Sequence, residues 1–94
     1  MRQYETMYVL LPDLDQEETN KLVTKFQRVV TENGGEIIQL QEIGKRRLAY
    51  EIAGVREGYY VLMTYQGSTM IAKELERMFA ISDGVLRDLI IRIG

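Results

Sequence analysis

Cysteine and histidine are both absent from the sequence, and these absences exclude several classes of site. Without cysteine there is no disulfide, no thiolate metal site and no cysteine nucleophile. Without histidine, the commonest general base and the commonest metal ligand are missing as well. Because the usual acid–base equipment is lacking, we expect no enzyme, no metal and no cofactor.

Long apolar runs are absent too. A membrane-spanning helix needs a run of about 18 apolar residues, and we therefore expect no such helix. Residues 1–11 alternate in polarity and include Glu5, which does not fit a signal peptide, so we expect a cytoplasmic protein. A length of 94 residues suits one domain and is too short for two, so residues 1–94 are expected to form a single domain.

The sequence also lacks an excess of positive charge, since its net charge is −2. Residues 1–44 carry four basic and eight acidic side chains, a balance of −4, and residues 45–94 carry eight and six, a balance of +2. A local basic patch can still bind phosphate, because screening confines its field to about 10 Å. The second half of the chain is therefore the better place for an anion-binding surface.

Hydrophobic periodicity predicts a strand and then a helix in the first third of the chain. Residues 2–11 alternate as a strand does, and Pro12 stops them. Asp15 and Glu18 have the spacing of a capping box at a helix start, and Asn33-Gly34-Gly35 is a typical helix end. The apolar stripe of this helix is Leu22, Phe26, Val29 and Val30.

The rest of the chain predicts two strands, a second helix and a last strand. Residues 36–52 form a long strand with a possible bulge at Gly44, and residues 59–66 form the strand that pairs with it. Between them, Val55-Arg56-Glu57 is expected to be a loop. The second helix runs from Ser68 or Thr69 to Phe79, and residues 85–93 form the last strand.

The order strand, helix, strand, strand, helix, strand predicts an α+β fold of the ferredoxin-like βαββαβ class. Two amphipathic helices would cover one face of a four-stranded antiparallel sheet and leave the other face open. By alternation, the apolar residues on that open face are Met7, Val9, Tyr60, Leu62, Leu89 and Ile91. So many on one face indicate a surface for a partner, although scattered exposed apolar residues are also normal.

Lys45-Arg46-Arg47 is a run of three basic residues in the predicted hairpin. Three cations on a projecting hairpin suit phosphate, which arginine can grip through two parallel hydrogen bonds. A basic triplet is also typical of a solvated surface, so it does not by itself identify nucleic-acid binding.

The residues around the triplet carry a family resemblance. Residues 44–52, Gly-Lys-Arg-Arg-Leu-Ala-Tyr-Glu-Ile, resemble the signature of bacterial small-subunit ribosomal protein six, and Leu48 to Ile52 match it at every position. The similarity extends over essentially the whole chain, through the opening Met1-Arg2-Gln3-Tyr4-Glu5, Leu-Pro-Asp-Leu at 11–14, Gly34-Gly35, Glu57-Gly58-Tyr59-Tyr60 and Val85-Leu86-Arg87. Some relatives have a longer C-terminal tail than this chain.

The resemblance implies a ferredoxin-like structural protein of the small ribosomal subunit. It implies binding to the central domain of small-subunit ribosomal RNA together with small-subunit ribosomal protein eighteen, a small basic partner. Position by position, the RNA or partner contacts that it implies are Arg2, Lys45, Arg46, Arg47, Arg87 and Arg92. It implies neither a membrane nor a small-molecule substrate. Tyr4 is expected in the core, and Tyr50 is expected to be structural.

Three alternatives share the predicted fold. An acyl-phosphate hydrolase would use an arginine and an asparagine-held water, but neither Asn20 nor Asn33 follows a phosphate-cradling glycine loop. A free-standing RNA-recognition module would carry a basic residue before the glycine of Gly58-Tyr59-Tyr60, where this chain has Glu57. A ligand-binding regulatory domain that dimerises through its sheet is the third.

Overall fold

Six elements follow one another in the predicted order. The computed structural model describes residues 2–94, so Met1 of the opening motif lies outside the described residues. The elements are β1 (Arg2–Leu10), α1 (Gln16–Thr31), β2 (Glu36–Ile52), β3 (Val55–Gly67), α2 (Thr69–Ile81) and β4 (Val85–Arg92). The strands form one antiparallel sheet in the order β2-β3-β1-β4, and both helices contribute to a single core on one face. The ferredoxin-like fold is confirmed.

The α1 helix begins where the sequence predicts it. The Asp15 carboxylate accepts a hydrogen bond from the Glu18 backbone N–H at 2.8 Å, and the Glu18 carboxylate accepts one from the Asp15 N–H at 3.3 Å, so the capping box is present. Leu22 and Val29, predicted in the apolar stripe, are only half-buried because they flank it. The buried residues of the helix are Thr19, Val23, Phe26 and Val30.

The core lies between the helices and one face of the sheet. Tyr8 of β1 contacts Phe26 of α1 and Phe79 of α2, with ring centroids 5.0 and 5.2 Å apart. Tyr4 is also buried, as predicted, and stacks on Tyr65 with a centroid distance of 5.3 Å. Because strand side chains alternate, the residues between these point to the opposite face. Among residues 2–94, no helix is both long and apolar enough to cross a membrane.

The hairpin between β2 and β3 differs from the prediction. Residues 55–57, assigned to a loop, belong to β3, and the connection is the two-residue turn Ala53-Gly54. Both turn residues have positive φ, 49° and 81°, as a tight type I′ hairpin turn requires. Alanine rarely adopts this conformation, so the sequence did not signal the turn. The bulge predicted at Gly44 is confirmed by a register shift there and a φ of 94°.

Candidate functional site

The hairpin end bends over the open face of the sheet because β2 contains extra residues. Arg47 pairs with Glu57 and Ile52 pairs with Val55, so four residues of β2, 48–51, lie opposite the single residue Arg56 of β3. Such a bulge bends a strand out of the sheet plane. The bend brings the middle of the hairpin back toward β1 and β4.

Gly58 allows this approach. A Cβ at Gly58 would lie 2.2 Å from Val9 Cγ1 and 3.6 Å from Leu48 Cδ2, so Val9 and Leu48 pack over a backbone without a side chain. Val9 is only 4% exposed and Leu48 only 8%. The expectation that Val9 belongs to an exposed open-face patch is therefore wrong, because the hairpin covers it.

The other apolar residues predicted on the open face lie there and are accessible. Met7 pairs with Leu62 on one side and with Leu89 on the other, which places all three on the same face. Leu89 and Ile91 are 58% and 46% exposed, and Met7 is 37% exposed. Tyr60 and Leu62 are half-buried. An apolar strip therefore runs across β3, β1 and β4.

Between this strip and the hairpin lies a cavity of about 260 Å³. The sequence does not predict this cavity, because the cavity's roof depends on the bulge in β2. The one feature of the sequence that points to it is Gly58, a glycine in an otherwise aromatic-rich strand. The lining residues come from all four strands and are Met7, Val9, Leu48, Ala49, Tyr50, Ile52, Tyr60, Arg87, Asp88 and Leu89.

Tyr50 and Arg87 meet at the mouth of the cavity. One guanidinium N–H of Arg87 donates to the Tyr50 hydroxyl at 2.6 Å, and the guanidinium carbon lies 5.6 Å from the ring centroid. Tyr50 is on β2 and Arg87 on β4, the two outer strands, so the contact exists only because the hairpin crosses the sheet. Tyr50 is 60% exposed and is not a core residue.

The basic triplet lies on the hairpin half of β2, and its three side chains are exposed. Lys45 pairs with Tyr59, whose ring is packed against the core on the helix side, and Arg46 pairs with Gly58. Residues that pair directly share a face, so Arg46 projects on the open side, and Lys45 and Arg47 project on the helix side. Among the described residues 2–94, an N–H of the Arg46 guanidinium donates only to the Lys45 backbone oxygen, at 2.8 Å.

Arg2 and Arg92 lie together at the opposite end of the sheet. An Arg2 guanidinium N–H donates to the Thr69 hydroxyl at 2.5 Å, and the Tyr4 hydroxyl is 3.3 Å from the same oxygen. The pKa of Tyr4 is lowered, first by the hydrogen bond with Thr69 and further by the positive charges of Arg2 and Arg92.

The α2 helix begins at Thr69, and this end of the helix adds to the positive potential. The cap residue Ser68 makes no side-chain capping bond, and the first turn holds no acidic residue. The unpaired N–H groups of a helix N-terminus carry partial positive charge. Arg2, Arg92 and the start of α2 therefore form an electropositive end of the molecule.

None of the six predicted contact residues is neutralised by a carboxylate within residues 2–94. Four other basic residues are paired, at distances of 2.6 to 3.8 Å: Lys21, Arg28, Arg56 and Arg77. Within the same residues, Lys25 and Lys73 on the helices have no carboxylate partner either, so this property does not by itself identify the contacts. It does leave Arg2, Lys45, Arg46, Arg47, Arg87 and Arg92 available to an external anion.

Asp88 lies opposite Tyr8 on the helix side of β4. Its pKa is raised, first by burial and then by the negative charge of Glu76 on α2. Within residues 2–94 it forms no hydrogen bond or ion pair, so it is a carboxylate without a compensating cation.

Comparison with known proteins gives matches along nearly the whole chain. A family model described as Ribosomal protein S6 matches residues 3–92. Small ribosomal subunit protein bS6 of Desulforudis audaxviator is 53% identical over 92 residues, which are 98% of each chain. The protein of the same name from Caldanaerobacter subterraneus is 55% identical, over 98% of this chain and 97% of its own. The crystal structure of 30S ribosomal protein S6 from Thermotoga maritima has a TM-score of 0.93 at 28% identity, covering 98% of this chain and 87% of that one.

Proposed function

We propose, because this chain belongs to the ribosomal protein S6 family of the small ribosomal subunit, that it binds small-subunit ribosomal RNA together with small-subunit ribosomal protein eighteen. Its location is then the ribosome, in the cytoplasm, and its RNA target is the central domain. It acts as a structural constituent in one domain over residues 1–94, with no catalytic activity and no small-molecule substrate.

The observation that carries the RNA part is the grouping, at two ends of the sheet, of basic residues that have no carboxylate partner within residues 2–94. Phosphate oxygens replace the missing carboxylates, and counterions released from the RNA drive the binding. Arg2 and Arg92 supply one contact region at the start of α2. Lys45, Arg46 and Arg47 supply the other at the hairpin, where arginine can bind a phosphate through two hydrogen bonds.

The protein partner is assigned to the open face. The exposed strip of Met7, Leu89 and Ile91 is apolar and continuous, which is typical of a protein-binding surface. Phosphate contacts do not need such a surface. The apolar strip and the proposed phosphate contacts are therefore different sets of residues, and RNA and protein can bind together.

The test is assembly of the chain with small-subunit ribosomal protein eighteen on a central-domain RNA fragment, measured by filter binding over a range of salt concentrations. We expect Arg46→Ala/Arg47→Ala to weaken assembly by on the order of tenfold and to flatten its salt dependence, because fewer counterions are released. Its free energy of unfolding should stay within about 1 kcal/mol of the parent, since both side chains are exposed.

The matched control is Lys21→Ala/Arg28→Ala, which also removes two exposed cations. Those two are already paired with Glu17 and Glu32 on α1, so we expect assembly close to that of the parent. If Arg46→Ala/Arg47→Ala also assembles like the parent at every salt concentration, the triplet is solvated surface. The RNA contact would then belong to Arg2 and Arg92.

A further inference from the structure

The cavity beneath the hairpin has the size to receive one large side chain. Its volume is about 260 Å³. A cavity of about 150 Å³ already holds a benzene ring. Met7 and Val9 of β1, Leu48 of β2, Tyr60 of β3 and Leu89 of β4 form its walls, so a group that enters is surrounded mainly by apolar surface.

The cavity has a fixed floor and an accessible rim. Val9 and Leu48 are 4% and 8% exposed and are held in place by the close packing over Gly58. Leu89 and Tyr50, at the rim, are 58% and 60% exposed. An anchor residue of a protein partner contributes most to the binding free energy when it enters a pre-formed apolar pocket that is open to solvent.

Arg87 determines which charge the partner should carry next to the side chain that enters the cavity. One of its N–H groups bonds to the neutral Tyr50 hydroxyl, and within residues 2–94 no carboxylate pairs with it. A guanidinium offers five donors in a planar fork that fits a carboxylate. The group that complements the rim is therefore an acidic one.

A nucleobase fits the cavity less well than an apolar side chain. Proteins read an unstacked base through hydrogen bonds to its edges. The Tyr50 hydroxyl already accepts a hydrogen bond from Arg87, and the walls formed by Met7, Val9 and Leu89 offer no hydrogen bond to the polar edges of a base.

We propose that the cavity binds one large apolar side chain of the protein partner, flanked in that partner by a carboxylate that pairs with Arg87. The proposal rests on the proposed function and adds the point at which the partner is anchored to the open face. On binding, N–H groups of the Arg87 guanidinium donate to the partner's carboxylate.

The experiment measures binding of small-subunit ribosomal protein eighteen to the full chain by calorimetry, without RNA. Leu89→Gln should weaken the affinity about tenfold, because Leu89 is a cavity wall. Ile91→Gln is the matched control, since Ile91 lies on the same strand and face at 46% exposure but does not line the cavity. It should lose about threefold or less.

Arg87→Met keeps the length of the side chain and removes its charge. We expect it to weaken binding and to reduce the dependence of the dissociation constant on salt, whereas Ile91→Gln should leave that dependence unchanged. All three positions are exposed, and a thermal unfolding curve for each variant establishes that it is folded.

The outcomes separate this inference from the proposed function. If the parent does not bind the partner at all, the proposed function fails. If the parent binds and Leu89→Gln loses no more affinity than Ile91→Gln, the partner lies flat on the sheet and only the cavity inference fails. Methyl NMR signals of Val9 and Leu48 should shift on adding the partner. The inference is also overturned if they shift instead with a single-stranded RNA oligonucleotide, or with self-association that Leu89→Gln abolishes.

Discussion

At the scale of single residues, two hydroxyl groups are buried without a hydrogen-bond partner within residues 2–94. They belong to Tyr8 and Tyr65, both fully buried in the core. Burial raises the pKa of each phenol well above its ordinary value, so both stay neutral at all working pH values. A buried hydroxyl without a partner costs about 1–3 kcal/mol of stability, because it has lost its hydrogen bonds to water.

Removing either hydroxyl should therefore not destabilise the protein. We expect Tyr65→Phe and Tyr8→Phe to leave the free energy of unfolding unchanged or to raise it by about 1 kcal/mol, measured by urea denaturation. Tyr4→Phe is the control, because the Tyr4 hydroxyl is within hydrogen-bond distance of the Thr69 hydroxyl. This variant should have a lower free energy of unfolding than the parent. A marked loss in Tyr8→Phe would show that its hydroxyl has a partner, such as a buried water.

At the scale of elements, the hairpin is held over the sheet by the contact between Gly58, Val9 and Leu48. A methyl group at position 58 would collide with the stiff, buried side chain of Val9 at 2.2 Å. Overpacking of this kind costs about 1–3 kcal/mol. We expect Gly58→Ala to lower the free energy of unfolding by about 1–3 kcal/mol, seen as a lower midpoint of urea denaturation.

A compensating change tests the cause of that loss. Val9→Ala removes the colliding Cγ1 methyl group, so Gly58→Ala/Val9→Ala should be more stable than the sum of the two single effects implies. The coupling is measured as a double-mutant cycle from urea unfolding. Strictly additive effects would mean that the collision with Val9 is not the cause of the loss in Gly58→Ala.

The elements differ in how far the sequence predicts them. The start of α1 was predictable because Asp15 and Glu18 are three residues apart and the capping interaction is local. The two faces of β1 and β3 followed from strict alternation, which needs no knowledge of distant residues. The bend of the hairpin could not be predicted, because it depends on how residues 48–51 of β2 pair with β3. For that reason the alternation pattern predicts an exposed Val9, and the sequence does not indicate the contact of Tyr50 with Arg87.

At the scale of the whole molecule, the basic residues proposed to bind RNA are divided between the two ends of the sheet. Arg2 begins β1, and Leu10 at its other end pairs with Tyr59, which pairs with Lys45 of the hairpin. The nine residues of β1 therefore separate the two regions by roughly 27 Å along the strand, at about 3.4 Å per residue. Each region offers only a few phosphate contacts on a molecule of net charge −2.

Such a divided and sparse set of cations predicts weak RNA binding by the isolated chain. At physiological salt we expect a dissociation constant on the order of 10⁻⁴–10⁻⁶ M for the central-domain RNA fragment, typical of a few phosphate contacts. Adding small-subunit ribosomal protein eighteen, a basic partner, should tighten it substantially. Filter binding with and without the partner measures both values, and tight binding by the chain alone that is insensitive to salt would contradict the prediction.

The strand order β2-β3-β1-β4 also affects how the chain reaches its native state during synthesis. β1 is made before the other strands, yet it occupies the interior of the sheet. Its partners in the described part of the chain are β3 and β4, which begin at Val55 and Val85. While a ribosome is producing the first half of the chain, β1 has no strand to join and α1 has no sheet to cover. Loop closure over such long separations delays folding. The protein therefore acquires its core only when its last segments emerge, and a nascent chain that stops short of β3 stays unfolded.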